Sequence, residues 1–199
     1  MKKIKELLDH IFIDGLSGMA QGLFATLIIG TIIQQIGTLI GGPRGDMIFA
    51  VGKVAAALTG AGIGVGVAAK FKESYLVVVS AATAGMVGAF ASKLLAGTVL
   101  VDGTMVFAGP GEPLGAFLAA YIGIECGHLV AGKTKVDILV TPIVTIGTGS
   151  LVGLLVGPGV SKIMTSLGAM INWGVEQQPF LMGIVVSVLM GMILTLPIS

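Results

Sequence analysis

Long uncharged apolar runs alternate with short polar breaks along this chain. Gly-Pro steps mark three of the breaks, at Pro43, Pro110 and Pro158. Ser17 to Ile40 holds 24 residues without a charge, enough at 1.5 Å per residue to cross a hydrocarbon core of about 30 Å. Further apolar runs cover 47–69, 75–95, 113–131, 138–156 and 180–198, the first three with one charged residue each, Lys53, Lys93 and Glu125. The pattern predicts an all-α polytopic membrane protein, with residues 17–199 forming a domain of six transmembrane helices. Ahead of it, Ile4, Leu7, Leu8, Ile11 and Phe12 recur at helical spacing, with Lys2, Lys3, Lys5, Glu6 and Asp9 largely elsewhere. Residues 1–16 therefore read as an amphipathic helix lying in the membrane interface. Gly157-Pro-Gly159 reads as the end of the fifth span. The mixed stretch from Ser161 to Pro179, with Trp173, reads as an interfacial helix plus loop. Residues 97–112 are too short and too interrupted for an ordinary span, and read as an external loop or a re-entrant segment.

Composition sharpens the class. The chain is 55% hydrophobic and 11% charged, with a mean hydropathy of +1.04, whereas soluble domains carry about 25% charged residues. The 32 glycines suit membrane helices, whose backbones approach closely where side chains are small. Gly60/Gly64 and Gly62/Gly66 form two overlapping GxxxG pairs and predict a close helix crossing. They do not form a dinucleotide loop, which needs GxGxxG and a later acidic partner. The net charge of +1 points to no nucleic-acid partner. The single cysteine, Cys126, builds no disulfide or thiolate metal site within one chain.

Lysine placement sets the expected orientation. Lys2, Lys3, Lys5, Lys70, Lys72, Lys133 and Lys135 fall in the N-terminal segment and two alternate loops, while the opposite loops hold Arg44 and Lys162. Positive charge favours the cytoplasmic side. The expectation is a multi-pass protein of the cell membrane with its N-terminus in the cytoplasm and the three Gly-Pro breaks outside. The chain stops at Pro197-Ile-Ser199 with no polar tail, which suggests a longer parent protein.

Candidate chemistry is sparse. The sequence has no recognisable nucleophilic triad, P-loop, zinc spacing or nucleotide fingerprint, so no catalytic residue, metal or cofactor is assigned. Phe107 to Leu114 packs two prolines, two glycines and Glu112 into eight residues. An ionisable group at irregular backbone in a membrane chain is a functional-site hypothesis. Its rival is structural: Pro113 suits a first helical turn, so Glu112 could simply cap a helix. Glu125 and His128 stand three residues apart on one face of the fourth span, open to solute or proton contact or to mutual hydrogen bonding. Gln34 and Gln35 could contact a polar solute or join neighbouring helices. Lys53 and Lys93 read as snorkelling side chains. These groups suit recognition of a small hydroxylated solute through hydrogen bonds.

Four segments carry a family resemblance. They are Gly41-Gly-Pro-Arg-Gly-Asp46, Gly109-Pro-Gly-Glu-Pro-Leu-Gly-Ala116, Ile138-Leu-Val-Thr-Pro-Ile-Val-Thr145 and Met190-Gly-Met-Ile-Leu-Thr-Leu-Pro-Ile-Ser199. Together they resemble the IIC-type membrane component of the bacterial phosphotransferase system, in the branch that includes the perfringolysin O regulator protein. The resemblance implies a homodimeric membrane permease component that binds a sugar and presents it to separate IIA and IIB proteins. Several IIC families use a Glu-Pro dipeptide whose glutamate contacts sugar, and Glu112-Pro113 matches that dipeptide. The expected solute contacts are thus Glu112, Glu125, His128, Gln34 and Gln35, with the lipid bilayer as the other partner. Nothing matches a IIB phosphocysteine loop or a IIA histidine site, so the chain has no self-contained phosphotransfer chemistry. Two other readings stand beside transport: a membrane sensor that controls gene expression through partners, and a scaffold whose polar groups only join helices.

Overall fold

The computed structural model describes residues 10–101, 104–177 and 179–195. Helix α1 runs His10–Ile40, α2 Gly42–Ala57, α3 Thr59–Lys70, α4 Tyr75–Ala89, α5 Ala91–Leu95, α6 Pro113–Val130, α7 Asp137–Gln177 and α8 Pro179–Thr195. Between α5 and α6 lies a short antiparallel hairpin, β1 Leu100–Val101 and β2 Thr104–Met105, with Leu100 opposite Met105 and Val101 opposite Thr104. Helices α3, α4 and α6 form a common core that includes Ile63, Val67, Val77, Ala81, Phe117 and Ile124, with Leu16, Met19 and Leu23 of α1 packed against it, and α7 lies along α4 and α6.

The first two apolar runs fold into a long antiparallel hairpin. Helix α1 has 31 residues, about 46 Å at the usual rise, and its N-terminal half lies on α3 while its C-terminal half lies on α2. The turn between them is a single residue, Gly41, at φ +64°, a left-handed conformation that glycine adopts without steric cost. Helices α2 and α3 meet at Leu58 with a bend of 52°. At the same level α1 widens into a π-helical turn, Phe24–Ile28, and Thr26 there faces Gly62.

Glycine lets these backbones touch. A methyl group added at Gly18 would lie 2.7 Å from the carbonyl oxygen of Gly66, and one at Gly52 would lie 2.6 Å from that of Gly30. The glycine run of α3 divides its duties. Gly62 and Gly66 face α1 at Gly22 and Gly18, whereas Gly60 and Gly64 face α4 at Gly85 and Ala81. Residues two apart on a helix point about 200° apart at 3.6 residues per turn, and residues four apart share a face. The close crossing expected from the two GxxxG pairs is therefore two crossings, on opposite sides of one helix. Gly88, Gly115, Gly123, Gly149 and Gly153 do the same where α4, α6 and α7 meet.

Among the described residues three helices are long and apolar enough to cross a membrane: α1, α6 and the first 33 residues of α7. The bent α2–α3 pair makes a fourth if it is counted as one span. Helix α4 is apolar but has 15 residues. The interfacial helix expected at 1–16 falls mainly outside the described residues, and its last part, from His10 on, belongs to α1. The fifth run departs from expectation. Helix α7 does not end at Gly157-Pro-Gly159 but continues for 41 residues to Gln177, absorbing the separate interfacial helix expected at 161–179. Pro158 removes one backbone donor, whereas ending the helix there would strand several carbonyls. The described residues of 97–112 form the two short strands and an irregular return to α6, with no helix among them.

The packing predicts a sharp contrast between glycines. Gly62→Val must push apart the α1 and α3 backbones and should cost roughly 1–3 kcal/mol as overpacking. Gly168, with nothing within 4 Å of an added methyl, should tolerate Ala with no loss and a gain of up to about 1 kcal/mol. Thermal denaturation of the detergent-solubilised variants measures both. Equal midpoints would contradict the close crossing.

Candidate functional site

A polar cavity forms where α4 breaks and the chain returns from the hairpin. Helix α4 ends at Ala89, and Phe90 takes φ −111° and ψ 13° before α5 begins. Hydrogen-bonding groups freed by that break need partners. The returning segment supplies one: Glu112 N–H donates to the Ala89 carbonyl at 2.8 Å. Gly111, at φ +73°, passes so close that a methyl there would lie 2.8 Å from the Ala89 oxygen. Phe107 packs on Phe90 with ring centroids 5.0 Å apart, Lys93 Nζ donates to the Ala108 carbonyl at 3.0 Å, and Val99 is buried. The 97–112 segment is thus folded back onto the end of α4 and onto α5.

The fold-back closes a cavity of about 190 Å³ lined by Ala89, Ser92, Lys93, Ala108, Pro110, Gly111, Glu112 and Ser161. That is below the roughly 300–1,000 Å³ of ordinary ligand pockets and suits a small solute. Glu112 occupies the N-cap position of α6, with φ −96° and ψ 106°, but its side chain makes no capping hydrogen bond. Instead Ser161 Oγ, one turn beyond Pro158 on α7, donates to Glu112 Oε1 at 3.2 Å. The carboxylate therefore links α6 to α7 across the cavity wall rather than serving the helix end. Ser92 Oγ is buried with no hydrogen-bond partner among the described residues. Among those residues no cation lies in ion-pair range of Glu112. The site thus presents a carboxylate, two hydroxyls and a nearby ammonium, with hydrogen-bonding capacity left over.

The other candidate residues lie elsewhere. Glu125 is 13 residues along α6 from Glu112, about 20 Å at helical rise. There Glu125 meets His10 Nε2 at 3.3 Å, and the His10 ring stacks on Phe71 at 3.9 Å between centroids. His128 is exposed and pairs with Glu73, Nδ1 to Oε1 at 2.9 Å. Glu125 and His128 share a helix face, but each is engaged with a different element, α1 for one and the α3–α4 loop for the other. Gln34 Nε2 donates to the carbonyls of Gly30 and Gly52, both at 3.3 Å, and so joins α1 to α2. Gln35 is exposed. Neither glutamine lines the Glu112 cavity. Ser92, Lys93 and Ser161 were not singled out as solute contacts by sequence pattern. Serine is common in such helices, and Lys93 sits where snorkelling suffices. Only the return of the chain brings them to Glu112. A larger cavity of about 380 Å³, lined by residues such as Met86, Leu94, Met105 and Phe107, is apolar and offers no comparable chemistry.

Apolar helices joined backbone to backbone, with a small polar cavity where α4 breaks, fit an α-helical membrane protein. The chain belongs to the family described as Phosphotransferase system, EIIC, whose sequence model matches residues 13–199. Comparison with curated proteins and with solved structures gave no match.

The fold-back predicts its own test. Phe107→Ala removes half of the Phe90–Phe107 pair and should cost about 1–3 kcal/mol of loop closure. Limited proteolysis within 97–112 should then accelerate roughly five- to a hundredfold while helical content stays unchanged. An unchanged cleavage rate would show that the aromatic pair does not hold the segment.

Proposed function

We propose that the chain is the membrane permease component of a sugar phosphotransferase complex, and that the Glu112 cavity holds the sugar. The observation that carries the reading is the Glu112 side chain, which leaves its own helix end uncapped and turns to Ser161 beside the unpartnered hydroxyl of Ser92. A carboxylate and two hydroxyls are good partners for sugar hydroxyl groups. Family membership supports the class of activity. Separate IIA and IIB proteins would supply the phosphoryl chemistry, for which this sequence has no matching motif.

In this reading the chain crosses the membrane six times, through α1, the α2–α3 pair, α4 with α5, α6, α7 and α8. The N-terminus lies in the cytoplasm, as lysine placement favours, and the sugar cavity lies at the outer end of the bundle. Glu125 and His128, at the opposite end, take a joining role and not a role in solute contact. Gln34 does likewise. The four segments quoted above favour the branch that includes the perfringolysin O regulator, and in this reading the chain assembles as a homodimer, as that resemblance implies.

Glu112→Gln keeps the shape and removes the charge. Loss of a hydrogen bond to a charged group costs about 1.5–3 kcal/mol, so sugar affinity should fall roughly ten- to a hundredfold. The measurement is a sugar-dependent thermal shift on purified protein, repeated for uptake in vesicles containing the partner proteins. Glu125→Gln should leave affinity unchanged. If no sugar in a broad panel shifts the wild-type protein, or if Glu112→Gln binds like wild type, the assignment fails.

A further inference from the structure

The end of the bundle opposite the Glu112 cavity carries an unusual helix terminus. Helix α3 closes with two backbone bonds, Lys72 N–H to Ala69 O at 3.0 Å and Glu73 N–H to Ala68 O at 3.1 Å. Helix α5 closes with the same pair of spacings, Gly97 N–H to Leu94 O at 3.1 Å and Thr98 N–H to Lys93 O at 3.0 Å. This closure needs a left-handed residue, ordinarily glycine. Gly97 fills the place on α5 at φ +69°, and Gly132 beyond α6 stands at φ +71°. On α3 the residue is Lys72, at φ +57°, the one left-handed residue other than glycine among those described. A lysine backbone is strained there. The sequence is rich in glycine yet carries a cation at the position where glycine is cheapest.

The surroundings suggest what that cation meets. Lys70 and Lys72 flank the α3–α4 turn, and Lys133 and Lys135 lie in the α6–α7 loop. The Glu73–His128 pair ties the first of these turns to the last helical turn of α6, which leads directly into the second. The acids nearby are engaged within the protein: Glu73 by His128, Glu125 and Asp14 by His10, and Asp137 by the Gly132 N–H at 2.9 Å and the Thr141 hydroxyl at 2.6 Å. Among the described residues no lysine forms an ion pair. Four lysines therefore present uncompensated charge on one end. Beside them Tyr75 is 91% and Ile138 71% exposed. Exposed aromatic and aliphatic groups at the helix starts that follow these lysines match the boundary between acyl chains and headgroups, where tyrosine and lysine both concentrate. A soluble acidic partner would match the charge but not the apolar rim.

From this geometry we infer that this end of the bundle binds the phosphate of anionic phospholipid headgroups, with Lys72 held in a strained turn to do so and Lys70, Lys133 and Lys135 completing the site. The inference needs the membrane setting but not the sugar assignment, so the two can fail separately. The test uses the full chain in detergent micelles and titrates phosphatidylglycerol against phosphatidylcholine. Thermal shift and native mass spectrometry provide the readouts. Wild type should be stabilised more by phosphatidylglycerol, and added salt should weaken the preference. Lys72→Gly should raise the midpoint without lipid, because strain is relieved, and should bind phosphatidylglycerol about fivefold more weakly, the share of one juxtamembrane lysine. Lys133→Gln with Lys135→Gln should weaken lipid binding without raising that midpoint. Equal stabilisation by the two lipids would overturn the proposal. So would full phosphatidylglycerol preference in Lys72→Gly, or an equal effect of inorganic phosphate.

Discussion

Backbone contact between helices is the constraint on which the rest of this structure depends. In lipid, helices gain little from hiding apolar side chains from one another, so association rests on van der Waals contact and on polar groups joined across the interface. Here both are used. Gly62 and Gly66 bring α1 against α3, Gly60 and Gly64 bring α4 against the other side of α3, and Gly123 with Gly149 brings α6 against α7. Gln34 adds a polar tie within the α1–α2 hairpin, and the His10–Glu125 pair adds one between elements far apart in sequence. Fixing these crossings fixes where α4 can end. The break at Ala89 and Phe90 then leaves a place for the chain to return, and the return builds the cavity.

The site follows from a chain of local necessities. A broken helix exposes a carbonyl at Ala89, and the extended chain before α6 answers it through the Glu112 N–H. Gly111 is required by the closeness of that approach, and Pro113 starts the next helix without needing a donor. The same geometry turns the Glu112 side chain away from its helix end and towards Ser161. Pro158 lies inside α7 and does not end it. The helix therefore reaches far enough to place Ser161 against the carboxylate. A fold that ended α7 at Gly157 would have no such partner for Glu112.

Much of this was legible in the sequence, for identifiable reasons. Uncharged runs gave the helical class, the GxxxG pairs gave close crossings, and the Gly-Pro-Gly-Glu-Pro segment gave the carboxylate that now stands in the cavity. The quoted segments also led to the family that matches residues 13–199. What failed did so where local signals were overridden by packing or by backbone satisfaction. Gly157-Pro-Gly159 has the look of a helix stop, but the cost of exposing carbonyls kept the helix whole. Glu125 and His128 share a face yet serve different neighbours, because pairing across elements is invisible to spacing along one helix. Ser92 and Ser161 are 69 residues apart and meet at Glu112 only through the tertiary fold. The left-handed Lys72 could not be read at all, since nothing in Lys-Phe-Lys-Glu marks it.

The central claim is that the Glu112 cavity is where the sugar sits, and Ser92 reports on it directly. A cysteine at that position, Ser92→Cys in a Cys126→Ser background, can be labelled with a small maleimide while a panel of sugars is added. The account predicts slow labelling that one sugar slows further, with the protection abolished when Glu112→Gln is also present. Labelling that no sugar changes, in protein shown to be folded by its thermal transition, would contradict it.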